Sequence, residues 1–535
     1  MDQNPTYIST PIYYVNDRPH IGHVYTTTVC DVWARFMRFA GRDVFFLTGT
    51  DEHGVKVEKS AKEQGVSPQA LADRNAAEFQ SILATFRLTN DDFIRTTQDR
   101  HKRQVAGFVK RLIDAGDVYL GEYEGWYDEG QEEFIPEGRA MDQDYKSAVS
   151  GKPLVRMKEQ NYYFRLSAYQ KRLEELYEQQ PEFVRPEARR NEMLGRLREG
   201  LQDVPVSRTS FSWGIPVPGD EAHVLWVWLD ALSNYITTLG LGEPDGEIHA
   251  ERGRYWPPAY HVIGKEILFF HALFWPAVLM ALDIPQPRCI YAHSFWISEG
   301  QKMSKSLGNF IDLAAIEHFV QTYGLDMWRY YLATQGPLGA TDADFAADHF
   351  HEVYSTDLAN TVGNCASRVT SMINKYFDGT VPSESPFGSR MVVAGHDWPA
   401  LAAEAVADAH HRMERLDLAG SSAAALGLIR RVDAFINLTE PFKLAKDDSK
   451  REELGAILYQ CLEAVRIASL LLWAVMPGKM SELWEALNLT IDPEQEQGTL
   501  PDLAAWGGLQ SGTTVRKVAL FPRLEQPETA PTETK

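Results

Sequence analysis

YISTPIYYVNDRPHIGHVYTTTVCDVWARFMRFAGRDVFFL runs from Tyr7 to Leu47, and its reading decides the fold. Tyr7–Val15 is rich in β-branched and aromatic residues, which predicts a buried strand, and Asn16-Asp17-Arg18-Pro19 supplies a turn. Beyond His20, apolar or small residues recur at three- and four-residue steps through Ile21, Tyr25, Thr28, Val29, Val32 and Phe36, the spacing of an amphipathic helix over Ile21–Met37. Gly41-Arg42 leads into a second apolar run, Val44–Leu47, which Gly49 bounds. Strand, helix, strand in that order means a parallel α/β sheet of Rossmann type.

Working outward, residues 116–215 change character. They hold a Gly/Tyr/Glu-rich strand region at Tyr119–Tyr127, a charged helix near Ser167–Gln179 and an Arg-rich stretch from Arg185 to Arg198. The α/β pattern resumes with Val224–Trp228, Tyr260–Ile263 and Cys289–Ala292, so the middle segment reads as an α+β insertion splitting one sheet. From Phe345 to about Leu489 the periodicity is helical throughout, the pattern of a bundle. The expected divisions are 1–115 and 216–324 for the two halves of the sheet domain, 116–215 for the inserted connective domain and 325–350 for a linking segment. A helical domain over 351–510 and a terminal segment over 511–535 complete the chain. Glu525–Lys535 is almost free of apolar side chains and is expected to be disordered.

The chain of 535 residues is 44% hydrophobic and 24% charged, which excludes a disordered chain, a collagen-like fibre and a small disulfide scaffold. Its net charge of −21 argues against indiscriminate polyanion binding and leaves room for nucleic acid at local basic patches. The candidates for such patches are Arg185–Arg198 and the group Arg430, Arg431, Lys443 and Lys446. The four cysteines form no CxxC spacing, which points to a reducing compartment, the cytoplasm. Neither a signal peptide nor a transit peptide is visible at the N-terminus. The most apolar stretches, Phe269–Leu282 and Ile467–Met476, are shorter than the ~18 residues a spanning helix needs, so no membrane association is expected.

Two motifs carry chemistry. His20-Ile21-Gly22-His23 stands where the first strand gives way to its helix. A helix start offers unsatisfied N–H groups and a positive dipole end, and the glycine lets a flat nucleobase approach the backbone. Taken alone, the motif also fits a helix start that merely carries two histidines. Lys302-Met303-Ser304-Lys305-Ser306, followed by Leu307-Gly308-Asn309, places two lysines in a Ser/Gly loop, where they can close on a triphosphate and neutralise a departing pyrophosphate. An exposed basic loop is the plain alternative. Both motifs in this order, on either side of an interrupted α/β sheet, favour nucleotide chemistry.

That pair resembles the two signature sequences of the class I aminoacyl-tRNA synthetases. The blocks Pro11–Asn16, Thr48–Gly54, Trp226–Ala231 and Ile263–Ile267 narrow the resemblance to the methionyl-tRNA synthetases, over about residues 6 to 525. The resemblance implies activation of L-methionine by ATP, with Mg2+, to methionyl-adenylate and pyrophosphate. The methionyl group then passes to the 3′-terminal adenosine of tRNA(Met), including the initiator tRNA. Because the attacking group is the substrate's own carboxylate, no protein nucleophile is needed, which suits a site of His, Lys and Arg.

By resemblance His20, Gly22, His23, Gly264, Glu266, Lys302, Ser304 and Lys305 bind ATP, with His20, His23, Lys302 and Lys305 as the catalytic groups. Arg208 is either a further phosphate contact or a surface arginine of the insertion. A flexible thioether is best chosen by aromatic walls, and its ammonium needs a carboxylate. By resemblance to the family's blocks, Ile12, Tyr14, Trp228, Ala231, Leu232, Tyr235 and His293 line that pocket, with Asp51 on the amino group; singly, each aromatic also fits ordinary core packing. Asn364 and Arg368 stand at i and i+4 on one helix face, which by itself also fits an exposed polar face; by resemblance they and Phe442 read the anticodon. Phe442 stands where the family usually has Trp and offers a smaller stacking surface.

The insertion departs from many family members in holding no cysteine, so no structural zinc is expected. The chain also stops soon after Leu520–Arg523, where many members continue into a dimerising RNA-binding domain, and a monomer is expected. The leucine, isoleucine and valine enzymes carry a much larger insertion, and the cysteine enzyme calls for a metal thiolate site. An idle RNA-binding relative has no physical reason to keep His20, His23, Lys302, Lys305 and Asp51 together, and a small-molecule adenylyltransferase has no use for the helical domain.

Overall fold

The computed structural model describes residues 4–15, 19–128, 133–135, 137–298, 300–303, 309–383, 395–495 and 498–525. Its centre is a parallel sheet of β1 (Pro5–Ser9), β2 (Asp43–Asp51), β3 (Asp92–Arg95), β4 (Val184–Arg185), β5 (Ala259–Gly264) and β6 (Cys289–His293), in the order β3-β2-β1-β5-β6-β4. A short strand, Tyr13–Tyr14, continues along β2 beyond β1. The period-2 alternation of a strand sorts the sheet's side chains onto two cores. Tyr7, Phe45, Leu47 and Ile263 face one core; Ile8, Val44, Phe46 and Val262 face the other. The chain leaves the sheet after β1 to one side and returns at β5 on the other. That reversal of strand order is where open α/β sheets form a ligand crevice, at the carboxyl ends of the strands.

Helix α1 (Ile21–Phe39) follows the Tyr13–Tyr14 strand and is buried along most of its length. Helix α2 (Asp99–Asp114) covers the opposite face beside α3 (Val227–Leu232) and α4 (Asn234–Thr237). Within the span expected as an insertion, Val118–Asp128, Glu133–Ile135, Val155–Phe164 and Val204–Pro205 build a separate four-stranded antiparallel sheet. Two details differ from the sequence reading. Val184–Arg185 lies inside that span yet pairs with Ile290 and Tyr291, so the Arg-rich stretch begins as the edge of the central sheet. Val224–Trp228 is no strand of that sheet: Val224 and Leu225 end an antiparallel strand paired with Ser207–Arg208 and Pro216–Val217, and Trp226 starts α3.

Residues 325–350, expected as a linker, are folded into α5 (Leu325–Gln335) and the start of a helix over Ala347–Val353. The helical domain follows, with α6 (Asn364–Tyr376), α7 (Leu418–Thr439) and α8 (Arg451–Leu472) among its helices. One apolar core runs from the α1 face of the sheet into these helices without a break. Asp448–Leu472 is long and apolar enough by composition to cross a membrane, with a mean hydropathy of 1.4, although no single uninterrupted apolar run announces it; its apolar window is wholly buried among the other helices. The chain then folds back: Glu463 accepts hydrogen bonds from the backbone N–H groups of Gly507, Gly508 and Leu509, which holds the C-terminal strap on the bundle. All but the first residue of the expected disordered end, 526–535, lies outside the described residues.

Candidate active site

His20 caps α1. Its Nδ1 accepts the Gly22 backbone N–H at 3.0 Å, and the His20 backbone N–H donates to His23 Nδ1 at 3.2 Å, a reciprocal capping box. A backbone N–H can only donate, so each Nδ1 is an acceptor and each neutral ring carries its proton on Nε2. The cap thus fixes the tautomers of both imidazoles. Their ring centroids lie 3.9 Å apart, and burial, followed by the charge of His20, pushes His23 well below the usual imidazole range. A Cβ on Gly22 would stand 2.9 Å from His20 Cε1, so a side chain there would displace the first ring.

The segment just past the second signature reaches this point from about 290 residues away along the chain. The Ile21 backbone N–H donates to Ile311 at 3.2 Å, His20 and Asp312 form an antiparallel bridge, and the Phe310 ring packs edge-on 5.1 Å from His20. On the other flank the Lys302 backbone pairs with Ile297. Ser304 and Lys305 lie outside the described residues, as does the Lys302 side chain.

A cleft of about 1430 Å³ opens at the crevice of the sheet. It is lined by Ile12, Tyr14, His20, Gly22, His23, Asp51, Arg208, Trp228, Ala231, Leu232, Tyr235, Gly264, Glu266 and His293, so the sequence-selected residues of both substrate sets meet in one space. Glu266 is exposed at its mouth. Arg208 is buried, with Nη1 donating to the Ser207 carbonyl at 2.9 Å and the guanidinium 5.3 Å from the Trp226 ring, which removes its alternative as a surface arginine of the insertion. Trp228 stacks on Phe270 with centroids 4.0 Å apart and an 11° tilt, a flat aromatic wall.

Asp51 is buried at the end of β2, and its Oδ1 has no hydrogen-bond partner among the described residues. Burial, then the nearby Asp230 and Glu52 carboxylates, push it well above the usual carboxylate range; a backbone N–H from His53 acts the other way. Gly49, two residues earlier, passes so close to Ile94 that a Cβ would fall 2.0 Å from its carbonyl oxygen, so only glycine lets β2 and β3 hold Asp51 here. A buried carboxylate oxygen without a donor is a place for a cation.

The sequence reading passed over His271. Its Nδ1 meets the Ile267 carbonyl at 3.0 Å and must donate, so Nε2 is the acceptor and the Tyr235 hydroxyl donates to it at 2.8 Å. No sequence signal marks it, because its partner Tyr235 lies 36 residues away. His293 is tied differently, through Nδ1 to its neighbour Ser294 and through Nε2 to Thr26 Oγ1 at 2.8 Å. Burial pushes both histidines down to about 4, leaving them uncharged at neutral pH.

With this geometry in place, the comparisons with known proteins agree with one another. The family described as tRNA synthetases class I (M) matches residues 6–370. A methionine–tRNA ligase of Halalkalibacterium halodurans is 41% identical over 98% of this chain and 79% of its own, and one of Bacillus subtilis is 40% identical with the same coverage. The methionyl-tRNA synthetase of Mycobacterium tuberculosis in complex with methionyl-adenylate superposes with a TM-score of 0.86 at 36% identity, over 97% of this chain and 100% of that one. The chain belongs to the methionine branch of the class I tRNA synthetases.

The helical domain holds the residues singled out for the nucleic acid. Asn364 is exposed at the start of α6, and Arg368 one turn on donates through Nη2 to Asn437 Oδ1 at 2.9 Å, with Asp433 at 3.6 Å from Nη1. Asn437 lies near the end of α7, five residues before Phe442, whose ring is 43% exposed. Arg430, Arg431, Lys443 and Lys446 are exposed in the same domain. The other basic stretch is largely spent internally: Arg185 packs over Tyr291, Arg189 donates to Ser294 Oγ and the Ala340 carbonyl, and Arg190 donates to the Tyr177 carbonyl. Arg196 and Arg198 remain exposed. Among the described residues no three His, Cys, Asp or Glu side chains gather as metal ligands.

Proposed function

We propose that the cleft carries out both half-reactions of a methionine–tRNA ligase, with Asp51 receiving the ammonium of L-methionine. The chain is an aminoacyl-tRNA ligase of the methionine branch by family. The observation that carries the assignment of residues is the buried Asp51 Oδ1, without a hydrogen-bond partner among the described residues, in a cleft shared with the capped histidines and the Trp228–Phe270 wall.

In this reading Ile12, Tyr14, Trp228, Ala231, Leu232 and Tyr235 enclose the thioether, with His293 behind them and His271 orienting the Tyr235 hydroxyl. ATP enters as its Mg2+ complex, the cation travelling with the substrate's phosphates. Its adenosine packs where Gly22 and Gly264 leave the backbone open, and Glu266 stands at the ribose side of the mouth. His20 and His23 offer Nε2–H groups to the phosphates, where Arg208, Lys302, Ser304 and Lys305 add charge and hydrogen bonds.

The methionine carboxylate oxygen attacks the α-phosphorus, the bond to the bridging oxygen breaks, and pyrophosphate leaves with its charge met by the lysines. A hydroxyl of the terminal adenosine of tRNA then attacks the activated carbonyl and expels AMP. Asn364, Arg368 and Phe442 read the anticodon loop of tRNA(Met) and of the initiator tRNA. We further read the enzyme as monomeric and cytoplasmic, to be checked by light scattering and by fractionation.

Amino-acid-dependent ATP–pyrophosphate exchange across the twenty amino acids tests the core of this reading. Exchange with methionine alone, abolished by Asp51→Asn, His20→Ala and Lys305→Ala in folded protein, is the expected result. Unchanged exchange in Asp51→Asn would remove Asp51 from the ammonium site.

A further inference from the structure

Behind the cleft lies a line of buried polar side chains that the chemistry above leaves unused. Asp230, on α3, takes His53 Nδ1 on one carboxylate oxygen at 2.6 Å and His101 Nε2 on the other at 2.8 Å. His101 Nδ1 continues to Thr237 Oγ1 on α4 at 2.8 Å. All four side chains are buried, and among the described residues no lysine or arginine bonds Asp230. An isolated buried carboxylate is costly, so a network of this kind holds only when its members are satisfied together.

Its ends are placed on the pocket's own elements. His53 lies two residues beyond Asp51 and donates its backbone N–H to that carboxylate. Asp230 shares α3 with Trp228, Ala231 and Leu232, and Thr237 shares α4 with Tyr235. One carboxylate therefore ties the ammonium end of the pocket to both of its thioether walls.

The charges around Asp51 are equally specific. Two carboxylates face it, Glu52 and Asp230. Glu52 is answered by Arg95, with Nε at 2.7 Å and Nη2 at 3.0 Å, and by the Thr50 and Thr97 hydroxyls. Among the described residues, Asp230 is answered by imidazole side chains alone. Burial opposes its ionisation, yet His53 and His101 hold it at about 2, so its negative charge persists beside Asp51 throughout the working range.

We propose that Asp230, His53 and His101 are positioning residues for methionine, clamping Asp51 at a fixed span from Trp228 and Tyr235 and setting, through the screened charge of Asp230, the pH range over which Asp51 accepts the ammonium. The inference rests on the reading of Asp51 as the ammonium site. Because Asp51 must be ionised, methionine capture falls on the acid side as Asp51 takes up its proton. Removing the Asp230 charge eases that ionisation and moves the fall to lower pH; removing an imidazole that screens Asp230 moves it to higher pH.

The test is methionine-dependent ATP–pyrophosphate exchange from pH 5.5 to 8.5, with KM measured for both substrates, in D230N, H53Q, T237V and D51N. D230N and H53Q are expected to raise the methionine KM by ~10-fold or more with the ATP KM within ~2-fold, and to shift the acid limb of kcat/KM in opposite directions. T237V, which alters no charge, is expected to raise the methionine KM less and leave the limb in place. A normal methionine KM and an unmoved limb in D230N would overturn the proposal, as would equal loss toward both substrates. If D230N does not fold by circular dichroism, H53Q and T237V decide by the same readout, and a normal methionine KM in both is the negative result. D51N separates the layers: if it is normal, the ammonium site is elsewhere, and if it alone is defective, only the relay is wrong.

Discussion

Arg329 Nη2 and Asp31 Oδ2 lie 2.7 Å apart with both side chains inaccessible to solvent, and the pair joins α5 to α1 across the junction of sheet and bundle. Arg329 also donates to the carbonyls of Ala474 and Val475, while Asp31 accepts from Arg35 Nε and from the Thr89 backbone and hydroxyl. Arg329→Met leaves Asp31 with Arg35 and Thr89 but breaks a fully buried pair, so it is expected to cost about 3 kcal/mol in urea unfolding, the low end for such a loss. Asp31→Asn with Arg329→Met should cost less than the sum of the two single changes.

The same pair predicts a pH dependence. Burial works against Asp31, but Arg329 and Arg35 prevail and hold its carboxyl below the usual carboxylate range. A depressed folded value means stability that is present above the unfolded value and lost as pH falls through the folded one. Wild-type protein is therefore expected to lose stability more steeply than Asp31→Asn as pH falls below the unfolded carboxylate value of about 3.9, with urea unfolding compared at pH 7, 4 and 3.

Gly22→Ala should separate stability from activity. Alanine is the better helix residue by about 1 kcal/mol, but its methyl group would strike the His20 ring at 2.9 Å and turn the imidazole that the cap has aligned. Pyrophosphate exchange is expected to fall at least ~100-fold with little change in melting temperature, since small misplacements at a reacting centre carry costs of that order.

Tyr235→Phe removes the hydroxyl whose hydrogen goes to His271 Nε2 and leaves that buried nitrogen without its donor. The methionine KM is expected to rise by ~10-fold, about 1.4 kcal/mol, while the ATP KM holds, as steady-state exchange would record.

Phe442→Trp tests the nucleic-acid end. A larger exposed ring gives an unstacked base more surface, so the tRNA KM is expected to fall severalfold with methionine activation unchanged. Arg368→Gln, which loses the Nη2 hydrogen bond to Asn437 and the charge facing Asp433, should raise the tRNA KM and likewise spare activation.

The strand-helix-strand order of Tyr7–Leu47 is what the fold delivers, because alternation and the 3.6-residue period report local burial directly, but Tyr7–Val15 divides into Pro5–Ser9 and Tyr13–Tyr14, and the second strand runs through Gly49 to Asp51. Trp226–Ala231 was legible as a block although its first residues form a helix start rather than a strand, since aromatic residues serve both. Val184–Arg185 was hidden because two residues leave no period to read, and their pairing with Ile290 and Tyr291 is set by long-range closure. In the site, the two cap histidines could be singled out by type and spacing, and Asp51 and Trp228 through the resemblance of the blocks that hold them. His271, Phe270 and the Asp230 relay could not, because their roles depend on which residues from distant segments meet them.

The edge strand at Val184–Arg185 bears on how such a chain can be recombined. A segment that lends a strand to its host is not a removable cassette: excising residues 116–215 would strip β6 of its neighbour and open a raw sheet edge ready to pair with another molecule. Grafting a relative's insertion into this scaffold should therefore succeed only when the transplanted piece brings an equivalent strand, or when the cuts spare 184–185 and exchange the antiparallel sheet alone.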